Sequence, residues 1–409
     1  MKRNTILAGI SIFRMILLLF AIVIFGEGNA LAQGAVWLYK PGETEPYGTY
    51  STVKDAVSAL NNTVKKDNCI IELHGEVEET VSNLQPTYSV TFRSEKNADH
   101  TLKFKLSKST YSGFYLSTAS KTMSFGCGSD YGILTIDMNN CGNAISLRYG
   151  TLDINDGIAF INGCFEGSGG AIIATTANAP VLNINGGVFR NNEASNGYGG
   201  AICVTSKAKI NVNGGLFENN SAANGGAIAV VPHVATSGTT NGSMMNLNGG
   251  TFIGNTSNTT SPEGNAIYYS ATGPFTIGGT LQFGADQDIY LASDANDPQK
   301  DRVLVKNSEI NISGSNPIPV LLANVIEYRN VLTSGDVTVV AADLNKFSIV
   351  DDTDYLKSMY LGLSFAEIDK INDKPSGSIN SPVLELRTHF EANMGNFINS
   401  DFDHFFEKD

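Results

Sequence analysis

Residues 199–220 read GGAICVTSKAKINVNGGLFENN. Three elements follow one another here. Gly199-Gly200-Ala201-Ile202 opens the stretch. Ile210-Asn211-Val212-Asn213-Gly214-Gly215 comes next, with apolar residues alternating with asparagine. Phe217 and Asn220 close it as Phe-x-x-Asn. The same elements recur in the same order on both sides. Gly-Gly-Ala-Ile stands intact again at 169–172 and 225–228, and degenerate at 142–145 and 264–267. The asparagine element recurs as Leu182 to Gly187 and Met245 to Gly250, with weaker copies at Leu152 to Gly157 and Ile310 to Gly314. Phe-x-x-Asn recurs as Phe189 with Asn192 and Phe252 with Asn255. Successive Gly-Gly-Ala-Ile starts lie 27, 30, 26 and 39 residues apart.

Strict alternation is the period of a strand with one buried face. Leu182 and Ile184 point one way, Asn183 and Asn185 the other. One such repeat cannot bury its apolar face alone, and stacking the next repeat about 4.8 Å above it does. The expectation is that Leu182, Ile210 and Met245 form one inward column, and Ile184, Val212 and Leu247 the next. Phe189, Phe217 and Phe252 form an aromatic stack, worth about 0.5–1.5 kcal/mol per ring pair beyond burial. Asn192, Asn220 and Asn255 form a ladder of amides, read as scaffold rather than as ligand contacts. The fold class is therefore all-β, a single-stranded right-handed parallel β-helix, or solenoid, with an N-terminal capping helix.

Gly-Gly-Ala-Ile paired with Phe-x-x-Asn resembles the repeat of the chlamydial-type polymorphic outer-membrane proteins, and more broadly that of bacterial β-helix surface proteins. The likeness covers residues 142–267. It implies a passenger that acts as an adhesin. In that family a C-terminal translocator barrel follows the repeats, and no such barrel is read in this sequence.

Away from the repeats, the N-terminus reads as an export signal. Lys2 and Arg3 precede an apolar run from Met15 to Phe25, and Ala30-Leu31-Ala32 offers a small-x-small cleavage site before Gln33. No later apolar stretch reaches the roughly 20 residues a spanning helix needs. The expectation is no membrane-spanning segment after cleavage, and a protein that is secreted, on the cell surface or in the periplasm. The domain reading is a signal peptide at 1–32 and a strand with an amphipathic cap helix at 33–68. The repeat body takes 69–315, and terminal strands with an irregular cap take 316–409. Val53, Ala56, Val57, Leu60 and Val64 share one face of the cap helix, which spans 51–66 with Ser51 as N-cap. Val320 to Leu322, Val337 to Val340 and Phe347 to Val350 read as late strands. Val234 to Ser243 and Ser257 to Glu263 read as polar insertions, and insertions on one face of a stack are where binding concentrates.

The net charge of −13 opposes nucleic acid or anionic lipid as partner, since both need basic patches. Glycine, at 42 residues, exceeds the roughly 7% average, as turns at positive φ require. Of the five cysteines, Cys127 and Cys141 are a candidate disulfide in an oxidising compartment, and burial is expected for most of the rest. Glycoside hydrolysis needs two carboxylates at a set separation. The candidates are Asp286 with Asp288, Asp153 with Asp156, and Asp351-Asp352-Asp354. Asp286 and Asp288 read as solvated turn acids. His74, His100, His233, His389 and His404 are scattered, with no metal spacing and no triad partner. His233, beside an insertion, is the one to watch. No catalytic, cofactor-binding or metal-binding residue is assigned, and no cofactor is implied. Function reads as an exported, non-catalytic, adhesin-like protein binding a glycan or a host or cell-surface ligand. The alternative is a lyase or hydrolase acting on polysaccharide from the same scaffold.

Overall fold

The computed structural model describes residues 34–350, apart from 177, 235–239, 260–263, 293–301, 315 and 323–330. The signal-peptide reading, the Asp351 cluster, His389, His404 and the last part of the chain lie outside the described residues. Among the described residues strand takes 49% and helix 5%, which makes this part of the chain all-β. Its strands form long parallel sheets.

Within the repeats each strand pairs parallel with its counterpart one repeat later. Leu152 lies beside Leu182, Leu182 beside Ile210, and Ile210 beside Met245. Phe189 lies beside Phe217, and Phe217 beside Phe252. A nine-stranded parallel sheet carries the Gly-Gly-Ala-Ile strands, from Ser112–Leu116 to Phe347–Val350. Ile145, Ile172, Ile202, Ile228 and Ile267 form its central column. All of these apolar side chains belong to one continuous core. The expected columns are therefore present. The phenylalanine stack is longer than the repeats foretold. Ring centroids are 5.4, 5.0 and 4.9 Å apart from Phe160 through Phe189 and Phe217 to Phe252, and Phe125 and Phe283 extend it at either end.

The turns explain the rest of the motif. The residue before the ladder asparagine is left-handed, with φ of 55° at Asn191, 54° at Asn219 and 64° at Gly254. Asparagine and glycine tolerate that conformation best. The next asparagine is buried and satisfied on every side. Asn220 Oδ1 accepts from Asn192 Nδ2 at 2.9 Å and from the Asn192 backbone N–H at 3.0 Å. Asn220 Nδ2 donates to Asn255 Oδ1 at 2.9 Å and to the Phe189 carbonyl at 3.0 Å. Gln287 takes the next place, with its Oε1 accepting from Asn255. In Gly-Gly-Ala-Ile the second glycine is set by close approach. A Cβ on Gly200 would sit 2.2 Å from the Gly226 carbonyl oxygen of the next repeat.

At the N-terminal end, Val36–Tyr39 pairs antiparallel with Gly48–Tyr50 and with Cys69–Leu73. The cap helix is shorter than the sequence predicts. It is α-helical over Val53–Ala59 and continues as one π-turn over Leu60–Val64. Thr52, not Ser51, is its N-cap, accepting from Asp55 N at 3.1 Å. All five predicted apolar residues are buried. Glu79, on an adjacent strand, receives the Lys54 N–H at 3.0 Å and so anchors the helix start. At the other end, Val337 to Val340 is not a strand. Val340 precedes a short helix, Ala341–Leu344. Its Asp343 meets Lys306, both fully buried, at 2.8 Å.

The buried ladder carries a testable cost. Replacing Asn220 with alanine strands the Asn192 donors and removes the side-chain bond to the Phe189 carbonyl, while Asn255 Oδ1 keeps only the backbone N–H of residue 220. Each buried orphan costs about 1–3 kcal/mol. Urea unfolding should show a loss of several kcal/mol for Asn220→Ala. Asn213→Ala, on an exposed ladder, should change stability by no more than about 0.5 kcal/mol. Equal losses would contradict the distinction.

Candidate functional site

The outward residues of the asparagine element form two further ladders on one sheet face. In the first, Asn183 Nδ2 donates to Asp153 Oδ1 at 2.7 Å, Asn211 to Asn183 at 2.6 Å, and Asn246 to Asn211 at 2.7 Å. Thr276 Oγ1 continues it onto Asn246 at 2.6 Å. In the second, Asn185 donates to Asn155 at 3.1 Å, Asn213 to Asn185 at 3.0 Å, and Asn248 to Asn213 at 3.1 Å. Asn307 Nδ2 meets both ladders, at Asn248 Oδ1 and Thr276 Oγ1. Every amide nitrogen donates toward the N-terminal end, so the amide dipoles within each ladder align and reinforce one another. A ladder amide spends one N–H and one lone pair on its neighbours. Its second N–H and second lone pair remain for solvent or a ligand. The face is thus a regular array of paired donors and acceptors. Asp153, a candidate acid, is the first rung. Asp156 lies in the turn beyond it and is exposed.

Toward the N-terminus the columns change character. Ser124 and Thr91 continue the first. In the second the backbone register leads from Asn155 through Gly126 to Arg93 and Glu72. Here the histidines prove not to be scattered. His74 sits between Glu72, 2.7 Å from Nε2, and Glu95, 3.1 Å from Nδ1. His100 Nε2 lies 2.8 Å from the same Glu95. Arg93 Nε donates to Glu72 at 2.6 Å, and its guanidinium covers Tyr131 at 4.0 Å. Trp37 stacks on His74 at 3.7 Å. Burial, then the Glu72 carboxylate, pushes the Tyr39 hydroxyl above its ordinary range. His74 lies in the bend after the strand Cys69–Leu73 and His100 opens the strand His100–Phe104, both outside the clear repeats. The parallel pairings of Cys69–Leu73 with Val90–Ser94 and of Val77–Glu79 with His100–Phe104 bring them close, so spacing in the sequence could not reveal the cluster. Its charged groups are largely consumed by one another. It reads as a brace for the N-terminal end and not as an open reaction centre.

The other candidates are placed as follows. Asp286 is the left-handed turn residue, with φ of 59°. Asp288 is not a solvated turn acid. It is buried and aligned with Ala266, the alanine of Gly-Gly-Ala-Ile. Burial raises it to about 7, although the Asn265 N–H opposes the shift. His233 and Val234, at the base of the first insertion, pair antiparallel with Asn241 and Thr240. Asp343 is the opposite case to Asp288. Burial would raise it, but Lys306, Lys346 and the Val340 N–H hold it below the ordinary carboxylate range. All five cysteines are free. The expected Cys127–Cys141 bridge is not formed, because Cys127 is exposed beside Arg93 while Cys141 Sγ turns to the Leu106 carbonyl. Cys69 and Cys203 alone are buried, fewer than expected. Among the described residues no three histidine, cysteine or acidic side chains converge as metal ligands, and no helix is long and apolar enough to cross a membrane. Compared with known families, curated proteins and solved structures, the chain matches no family model, no curated protein and no solved structure.

Asp288 predicts a pH effect. Its pKa rises on folding from 3.8 to about 7. The folded state therefore holds more protons than the unfolded state between these values, and stability falls as pH rises through that window. The benefit is complete below pH 3.8 and lost above about 7. Asp288→Asn keeps the bond to Asn265 N and cannot ionise. Relative to wild type it should gain about 2–4 kcal/mol at pH 8 over pH 4 in denaturant unfolding. A difference that does not change with pH would remove Asp288 as the cause.

Proposed function

We propose that the chain is an exported right-handed parallel β-helix whose outward amide ladders bind a neutral, hydroxyl-rich linear glycan. The role is adhesin-like and non-catalytic. The carrying observation is the pair of continuous ladders, with amides at Asn183, Asn211 and Asn246 and at Asn155, Asn185, Asn213 and Asn248. A polyol offers donor and acceptor from the same atom, and so fits a surface offering both at each rung. The ladder amides are uncharged, and the whole chain is acidic at −13, so a polyanionic partner would be repelled. Right-handedness rests on the near-universal hand of connections between parallel strands. Export rests on the basic and apolar N-terminus. The surface role also rests on the resemblance to polymorphic outer-membrane repeats. The polar insertion from Val234 to Ser243 is an accessory contact in this reading.

One observation favours the alternative, a polysaccharide-active enzyme. Glu72, His74, Glu95 and His100 group at one end of the same face. An enzyme would release reducing ends or unsaturated products from a polysaccharide panel, and a Glu95→Gln variant would lose that turnover.

A glycan array with the secreted form tests the proposal. Binding of neutral glycans is expected, with anionic ones weaker. Asn185→Ala with Asn213→Ala should weaken binding tenfold or more, about 1.4 kcal/mol, with an unchanged circular dichroism spectrum. Deleting Val234 to Ser243 should reduce binding less. Undiminished binding by the double variant would move the site off the ladders.

A further inference from the structure

The second ladder has a missing rung. Asn155 Oδ1 accepts from Asn185, so by the polarity of the ladder its Nδ2 is directed toward the preceding repeat. The position there is Gly126, which has no side chain to receive it, and Asn155 Nδ2 makes no hydrogen bond within the described protein. The gap is enforced by the backbone. Gly126 has φ of 78°, and a Cβ on it would lie 2.4 Å from the Asp156 carbonyl oxygen. The chain therefore cannot supply a side chain at this place without rebuilding the turn. A shallow depression results, lined by Thr91, Ser124, Gly126, Cys127, Asn155 and Asp156 among others. On its far side stands Arg93, drawn toward Glu72 and reaching Cys127 Sγ at 3.8 Å.

The chemistry of the gap selects its occupant. A group that replaces the missing amide must accept from Asn155 Nδ2, and it gains by donating to Asp156 or to the Ser124 and Thr91 hydroxyls. An acetamido group does both, with its carbonyl oxygen and its N–H. The depression lies on the outward face of paired strands, where no unpaired backbone edge is offered, so a peptide could not add as a strand. We infer that this gap is a subsite for the acetamido group of an N-acetylhexosamine unit within the glycan that the ladder face binds. This rests on the proposed glycan reading and narrows it to a class of sugar.

The test compares two neutral tetrasaccharides by isothermal titration with the folded chain: a β-1,4-linked tetramer of N-acetylglucosamine, and the glucose tetramer that has hydroxyls in place of acetamido groups. The N-acetylated tetramer should bind at least tenfold more tightly. Asn155→Asp keeps the acceptor for Asn185 but removes the donor, and it should abolish the difference between the two sugars. Asn248→Asp, three rungs away, should preserve the difference. Because Cys127 is exposed at the rim, the N-acetylated tetramer should also slow its alkylation by iodoacetamide in the unmutated protein, with the glucose tetramer much less effective. Equal binding of both sugars would overturn the acetamido subsite while leaving the glycan reading in place. Binding of neither would overturn both. Equal affinity for N-acetylglycinamide would assign the gap to peptides and overturn the sugar class.

Discussion

Residues in parallel, in-register strands lie directly over their counterparts in the next repeat, about 4.8 Å away. Like must therefore tolerate like. Aliphatic side chains, flat rings and amides do so, because each can contact a copy of itself. Charges of one sign cannot. This constraint accounts for the low content of charged residues along the columns and for the asparagine-rich repeats. The interior is one set of self-complementary columns, and the Asn192–Asn220–Asn255 ladder satisfies its own amides and the neighbouring backbone together. The outer ladders obey the same rule but keep half of their hydrogen-bonding capacity, which is what the proposed glycan reading uses.

Where the columns end, charge reappears. The Ile154–Ile184–Val212–Leu247–Ile277 column stops on Lys306, whose ammonium is neutralised by Asp343 from the short helix. At the other end of the face, Arg93 is paired with Glu72, and His74 and His100 lie within hydrogen-bond distance of Glu72 and Glu95. A buried charge is tolerated there only because a partner meets it, and removing one partner of such a pair is costly.

The columns were legible because spacing alone defines them. Leu182, Ile210 and Met245 fall one repeat apart, as do the three phenylalanines and the three ladder asparagines. The turn chemistry was only half legible. The second asparagine of Asn191-Asn192 was read as a ladder residue, but the first is needed for its left-handed backbone, which Gly254 supplies in the next repeat. Asp288 has the sequence character of a turn acid because it follows a degenerate repeat, yet its register with Ala266 one repeat earlier makes the position a buried one. The histidine and glutamate cluster had no such signal. Its members sit in turns and strand ends, joined only by the register of the sheet. The gap at Gly126 was hidden for a similar reason, since the strand Thr122–Phe125 precedes the clear repeats.

Disulfide cross-linking in a chain freed of its native cysteines measures the like-on-like register most directly. Asn183→Cys with Asn211→Cys places the two thiols on directly opposed residues, within the roughly 4.4–6.8 Å Cα separation a disulfide needs. That pair should oxidise readily under mild conditions. Asn183→Cys with Asn213→Cys, displaced by two residues along the strand, should not. Cross-linking of the displaced pair at a similar rate, or failure of the matched pair, would contradict the stacked register on which the core, the ladders and the proposed binding face all rest.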